Sequence, residues 1–301
     1  MNINYSTAGS VNILLFLLVV IWVVGWFFTM EGLEWSTPFS FSALRFFVAS
    51  IIMHLVILTR SSYTSYTIAE WCYILLVGLL QTTIMFSFAS YGMIELGLAT
   101  SAILIYTTPI WTSLLGWFFL SEKLSACKIF GLIFSGFGVV LILNLGWEVN
   151  RGLGVVLLVV SSISWSISNL IIKAKLASMD MFGVAAWQMT FGSLGLLIMA
   201  YYIDAGIVFE VSFDSIISLV YVSIGASVIA FTLWFYIVSR VALVRSSMAS
   251  LAVPVIVLGI QKVREGQFLD STYLVASLAI VVGLILVNVG NETVNKTVVE
   301  R

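Results

Sequence analysis

The sequence predicts an all-α integral membrane protein in which ten transmembrane helices form two inverted five-helix repeats. Three observations carry this. First, 61% of the 301 residues are apolar and 9% charged, with a mean hydropathy of +1.14, whereas soluble domains carry about 25% charge. Second, apolar stretches near the ~20 residues that a helix needs to span the hydrocarbon recur ten times. Third, the chain repeats itself. Trp22 maps onto Trp165 at an offset of 143, while Tyr91, Leu98, Ser101 and Pro109 map onto Tyr236, Leu243, Ser246 and Pro254 at 145, so a two-residue length change falls between Gln188 and Tyr236.

The first helix is expected over 11–30. Met1 to Ser10 contains no Lys or Arg, and the apolar run from Val11 is too long for the core of a signal peptide, so the segment reads as a span. Trp22 and Trp26 lie one turn apart on it, on a face shared with Gly25. The second helix, 40–59, carries Arg45 at a depth of about 8 Å, given 1.5 Å of rise per residue. A charge there costs at least ~2.5 kcal/mol on insertion scales. Arg45 therefore either serves a function with a partner or reaches up to helix-end carbonyls, Glu31 or Glu34. His54, the sole histidine, has no carboxylate in its own helix to relay a proton to and reads as packed. The third helix, 71–90, contributes Gln81, whose amide needs partners in lipid. The fourth, 96–119, carries Tyr106 and Pro109, and the proline removes a backbone bond that leaves a binding site, a hinge or a fixed kink. Glu122, in the Ser-Glu-Lys turn that follows, reads as a cap or gating residue. The fifth helix, 127–145, closes a first repeat of residues 1–148.

In the second repeat, 149–301, helices are expected over 153–172, 182–202, 214–236, 243–262 and 271–289. Ser161, Ser164, Trp165, Ser168 and Asn169 share one face of the sixth helix. Such a polar stripe faces protein or water, either lining a cavity or letting helices approach closely. Gln188 in the seventh helix stands where the first repeat has Arg45, at the same spacing of 23 from its tryptophan. The ninth helix brings Ser250 and Pro254, the latter a second candidate hinge with Pro109. The candidate substrate-lining set is thus Trp22, Trp26, Arg45, Gln81, Tyr106, Ser164, Trp165, Ser168, Asn169, Gln188 and Ser250. Gly131 with Ser135, and Ala279 with Gly283, have small-residue spacing that fits peripheral packing or a homodimer face.

Of the 13 basic residues, nine fall on the side shared by the N-terminus and the even-numbered helix exits, three fall opposite (Arg151, Lys262 and Arg264), and Arg45 is intramembrane. The positive-inside rule then puts both termini in the cytoplasm of a cell inner membrane. Five helices per repeat make the second copy run opposite to the first. A net charge of -1 argues against nucleic acid as a partner. Cys72 and Cys127 cannot form a disulfide framework or a Cys-rich metal site, and no cofactor or metal is expected.

Trp22 with Pro38 and Arg45, the run Ala99-Thr-Ser-Ala to Pro109, Leu120-Ser-Glu-Lys, and Leu233-Trp-Phe-Tyr to Pro254 carry a resemblance to the drug/metabolite transporter superfamily. Within it the chain resembles the EamA-type exporters over nearly its whole length. The resemblance implies a ten-helix, inverted-repeat carrier that exports amino acids or related small metabolites by alternating access, and not an enzyme. Rival readings are a non-transporting scaffold or sensor and, less favoured, a lipid-processing enzyme, which would need clustered acids, bases or metal ligands. One departure stands out: Gly259-Ile-Gln-Lys-Val-Arg-Glu-Gly-Gln267 replaces the family's apolar helix end and Gly-Glu turn. The ninth helix is expected either to end early or to send Lys262 and Arg264 to the headgroups. No acid lies mid-span in the first helix, so antiport of the kind used by small multidrug-resistance proteins is not supported.

Overall fold

The computed structural model describes residues 5–59, 65–121, 125–144, 152–241, 252–264, 266, 271–272, 274–276, 278–283 and 285–286. Glu122, Ser246, Ser247, Ser250 and Gln267 lie outside these. Among the described residues the structure is helical, with no strand beyond one isolated bridge between Ser36 and Phe209. We number the helices α1 (Tyr5–Gly32), α2 (Pro38–Thr59), α3 (Ile68–Leu96), α4 in two pieces (Leu98–Ile105 and Thr108–Leu120) and α5 (Ala126–Asn144). They continue as α6 (Gly152–Leu176), α7 (Met181–Ile203), α8 (Phe213–Arg240), α9 (Ala252–Arg264) and α10 (Leu274–Gly283). Seven of them, α1 to α4 and α6 to α8, are long and apolar enough to cross a bilayer.

Local chemistry sets the helix ends. Thr67 and Glu70 form a reciprocal capping box at the start of α3, and the Asp180 carboxylate accepts from the Phe182 and Gly183 amides at the start of α7. Gly97, at φ +76, is the single residue between α3 and α4, a left-handed conformation that other residues adopt only with strain. Three helices widen to π geometry, α3 over Gly78–Ile84, α6 over Ile172–Leu176 and α8 over Ile224–Ile229. The segments in α3 and α8 nearly coincide under the 145-residue offset, since Gly78 and Ile84 map onto 223 and 229.

Packing follows the duplication. α2 lies along α7, α1 packs on α8 and on α9, and α6 packs on α3 and on α4. Large apolar side chains such as Phe118, Phe130 and Leu278 point outward, as lipid requires. Inside, Ser and Thr hydroxyls commonly bond helix carbonyls, which satisfies many of the buried polar groups, although Ser218 Oγ, Ser223 Oγ and the Asn169 and Gln188 amide nitrogens are buried without a hydrogen-bond partner. The faces of Gly131 and Ser135 in α5 and of Gly283 in α10 meet each other, because a Cβ on Gly283 would fall 2.2 Å from Ser135 Oγ. These small residues pack within one chain, which takes them out of any dimer face.

Two alternatives left open by the sequence narrow. α4 is broken at Tyr106–Thr107 rather than merely kinked, with Pro109 in the first turn of its second piece, where a missing amide costs least. α9 does not end early but runs through Gln261 and Lys262 to Arg264, whose guanidinium lies 5.7 Å from the Phe27 ring of α1.

At one end of the bundle the α1–α2 and α7–α8 connections are stitched together. Ser36 pairs with Phe209, Ser36 Oγ donates to the Val208 carbonyl at 2.6 Å, and the Glu210 amide donates to the Trp35 carbonyl at 2.8 Å. Asp204 Oδ2 accepts from the Ser40 amide and hydroxyl, both at 2.9 Å, and from the Thr37 hydroxyl.

α3 and α7 approach each other closely. A Cβ on Gly192 would sit 2.3 Å from the Thr82 side chain and 2.8 Å from the Gly78 carbonyl. Gly192→Val should therefore force the helices apart, lowering stability by about 1–3 kcal/mol or more. Thermal unfolding in detergent, followed by circular dichroism, reads this directly; an unchanged midpoint would contradict the packing.

Candidate functional site

A cavity opens between α1, α2, α3, α4, α6 and α8, with about 740 Å³ of empty space counted out to its mouth. It lies from mid-bundle toward the stitched end, since its lining climbs α1 from Trp22 to Thr29 and α3 from Met85 to Met93. Its floor is a tryptophan cluster contributed by both copies. Trp22 meets its own repeat counterpart, Trp165, edge-to-face at 6.1 Å between ring centroids, and Trp234 closes the triangle at 5.3 and 5.8 Å. Edge-to-face geometry suits the ring quadrupoles and fixes each plane.

One wall is set by the break in α4. Proline at 109 excludes the normal helical bond to the Ile105 carbonyl, and Thr108 Oγ1 donates there instead at 2.6 Å. The interrupted turn delivers Ile105 and Tyr106 to the cavity, where the Trp26 indole N–H donates to Tyr106 Oη at 3.3 Å.

The other wall holds the charge. Arg45 is 5% exposed, with Nε donating to Ser227 Oγ at 2.8 Å and Nη2 to the Ala226 carbonyl at 3.2 Å. Its guanidinium carbon lies 4.6 and 4.9 Å from the Phe86 and Phe46 ring centroids. It reaches neither Glu31 nor Glu34, and among the described residues no carboxylate neutralises it. Both of its acceptors sit in the π-helical turn of α8. Gln188 makes the corresponding contact in the other copy: Thr82 Oγ1, in the π-helical turn of α3, donates to Gln188 Oε1 at 2.8 Å. Arg45 and Gln188 differ by 143 and Thr82 and Ser227 by 145, so one tie is made twice, once charged and once neutral.

Of the expected lining, the cavity takes Trp22, Trp26, Arg45, Tyr106 and Trp165. Gln81, Ser164, Ser168, Asn169 and Gln188 are buried behind it in helix contacts. Ser164 Oγ donates to the Leu80 carbonyl of α3 at 2.7 Å, and Ser168 Oγ to the Trp165 carbonyl of its own helix at 2.7 Å. Asn169 Oδ1 accepts from the Trp234 indole at 2.9 Å and from Gln81 Nε2 at 3.4 Å. His54 bonds Thr190 of α7 at 2.9 Å and packs on Trp187, away from the cavity. Pro254 falls in the first turn of described α9.

Residues missed in the sequence are Thr29, Ile105, Thr108, Ala226, Trp234 and the α3 face of Met85, Phe86, Ala89, Ser90 and Met93. That face repeats at helical spacing, and Ser90 shares a 3.0 Å hydrogen bond with Ser42 of α2. Helical spacing alone does not tell it from a core or lipid face.

The chain is matched by a family model, the EamA-like transporter family, over residues 9–144 and again over 152–289. A Bacillus subtilis protein described as uncharacterized transporter YoaV is 25% identical over 242 residues, 79% of this chain and 83% of its own length. A second from that organism, uncharacterized transporter YvbV, is 24% identical across 92% of this chain and 90% of its own. An uncharacterized transporter of Archaeoglobus fulgidus is 25% identical across 81% and 84%. A solved crystal structure superposes with a TM-score of 0.74 over 92% of this chain and 96% of its own, at 18% identity, and so shares the fold.

Proposed function

The chain belongs to the EamA-like transporter family, and on that premise we propose that it is a secondary-active carrier exporting a small amphipathic metabolite by alternating access. Amino acids and their relatives are the class to try first. The observation that carries this reading is the central cavity, floored by tryptophans of both copies and walled by rings and one guanidinium. A substrate there touches both copies at once, as a carrier whose copies exchange conformation needs.

The arrangement we propose is ten spanning helices in two inverted repeats, 1–148 and 149–301, with both termini on the cytoplasmic side of the inner membrane. The paired ties Arg45–Ser227 and Gln188–Thr82 support the repeat, as do the matched packing of α1 on α8 and α6 on α3. The two copies are not in the same state. Where the cavity has Ala89 and Ser90 of α3, the counterparts 145 residues on are Trp234 and Phe235 of α8, both buried to within 1%. Small residues on one side answer to large buried rings on the other, an asymmetry that suits alternating access.

Protein reconstituted in liposomes and loaded with an amino-acid panel should release at least one member faster than empty vesicles do. Trp22→Ala, which removes a ring from the shared floor, should slow that flux about tenfold or more, a loss of ~1.4 kcal/mol. Flux indistinguishable from empty vesicles across the panel, and across neutral and charged aromatic metabolites, would remove the proposal.

A further inference from the structure

Resting on the carrier reading above, we propose that the substrate is an organic anion, a carboxylate attached to a flat aromatic or branched apolar body, and that Arg45 is the residue that selects its charge.

The second copy separates structural need from charge. Tying the helix that bears Arg45 to the π-helical turn of its neighbour takes one side-chain hydrogen bond, and Gln188 makes that bond with Thr82 at 2.8 Å using a neutral amide. Arg45 makes the equivalent bond to Ser227 at the same 2.8 Å. The positive charge is therefore more than that tie requires, and it is held in a site where ionic groups are costly.

Arg45 lines the cavity, yet its partners among the described residues are two neutral oxygens and two ring faces. A guanidinium has five N–H donors. Nε and one N–H of Nη2 are committed to protein oxygens, and the rest of the group remains available to an acceptor in the cavity. Among the described lining residues there is no Asp, Glu or other basic residue. An anion binding there would be neutralised by Arg45, whereas a cation would meet like charge. An amino acid zwitterion could place its carboxylate at Arg45 but would find no carboxylate for its ammonium. The rings of Trp22, Trp26, Phe86 and Trp165 supply the flat apolar remainder of the site.

The full-length protein, purified in detergent, can be tested with four probes that share a benzyl body: phenylacetate, phenylacetamide, phenethylamine and phenylalanine. Phenylacetate is expected to bind about tenfold or more tightly than the neutral amide, as hydrogen bonds to a charged group warrant. Phenethylamine should not compete with it. Arg45→Gln, which installs the residue of the second copy, should erase the preference for phenylacetate while leaving phenylacetamide binding within about threefold, a change under ~0.7 kcal/mol. Amide and anion binding equally well to the unaltered protein would overturn the charge assignment and leave the carrier reading in place. Preference for phenethylamine or phenylalanine would do the same, as would a panel solute of zero or positive net charge carried in preference to anions. No binding by any probe, together with no flux of any panel solute, would overturn both. Should Arg45→Gln fail to fold, the ranking of the four probes on the unaltered protein still decides.

Discussion

Replacing Trp234 by alanine should lower stability by about 3–5 kcal/mol, the usual cost of deleting a buried aromatic side chain. Trp234 is 1% exposed and packs at a tilt against Trp22 and Trp165, with centroids 5.3 and 5.8 Å away. Its indole N–H also occupies Asn169 Oδ1 at 2.9 Å, so truncation strips an amide oxygen of its better partner in a dry site. Trp234→Phe isolates that second contribution. It keeps a ring but loses the donor, and should cost about 1–3 kcal/mol. Far-ultraviolet circular dichroism during thermal unfolding in detergent is the suitable probe, because tryptophan emission changes with the substitution itself. If both variants melted with the unaltered protein, Trp234 would not be the packed ring described above. In liposomes the alanine variant should also leak substrate, since the second copy's image of the cavity loses its largest side chain.

Arg45→Ala and Arg45→Gln should part company. Alanine leaves Ser227 Oγ and the Ala226 carbonyl without the donor that now serves them, and about 1–3 kcal/mol of stability should be lost. Glutamine returns a donor at that place and should recover most of it. Transport of an anionic substrate should fall about tenfold or more in both, corresponding to ~1.4 kcal/mol or more. Stability recovered without transport would assign the hydrogen bonds to the fold and the charge to the substrate. Recovery of both would make Arg45 a packing residue only.

Much of the scaffold was legible because lipid permits few solutions. A helix must satisfy its own backbone, so apolar runs and short links locate it, and the 143- and 145-residue offsets predicted that Trp22 and Trp165 occupy matching places. That they touch could not be read from spacing. The serine stripe of α6 misled for a physical reason. Ser161 and Ser168 satisfy themselves on carbonyls of their own helix, so their polarity carries no information about water. Phe86, Ala89 and Met93 were silent for the opposite reason, being apolar whether they face lipid, core or cavity. Trp234 was quoted within a motif yet not placed, since the break in α4 and the wide turn of α8 that shape its surroundings leave no periodic signal. The polar end of α9 left open an early terminus or a continuing helix with outward-reaching basic side chains; the helix runs on to Arg264, whose guanidinium lies against Phe27 of α1.

The stitching of the α1–α2 and α7–α8 connections has a mechanical meaning. Prising the copies apart at that end would break main-chain pairing and the three hydrogen bonds gathered by Asp204. Parting them at the far end breaks none of these. Under the carrier proposed above, the seam would serve as a fulcrum, with leverage growing with distance from it. The greatest excursion would then fall at the opposite ends of α2 and α7, where His54 and Trp187 pack on each other.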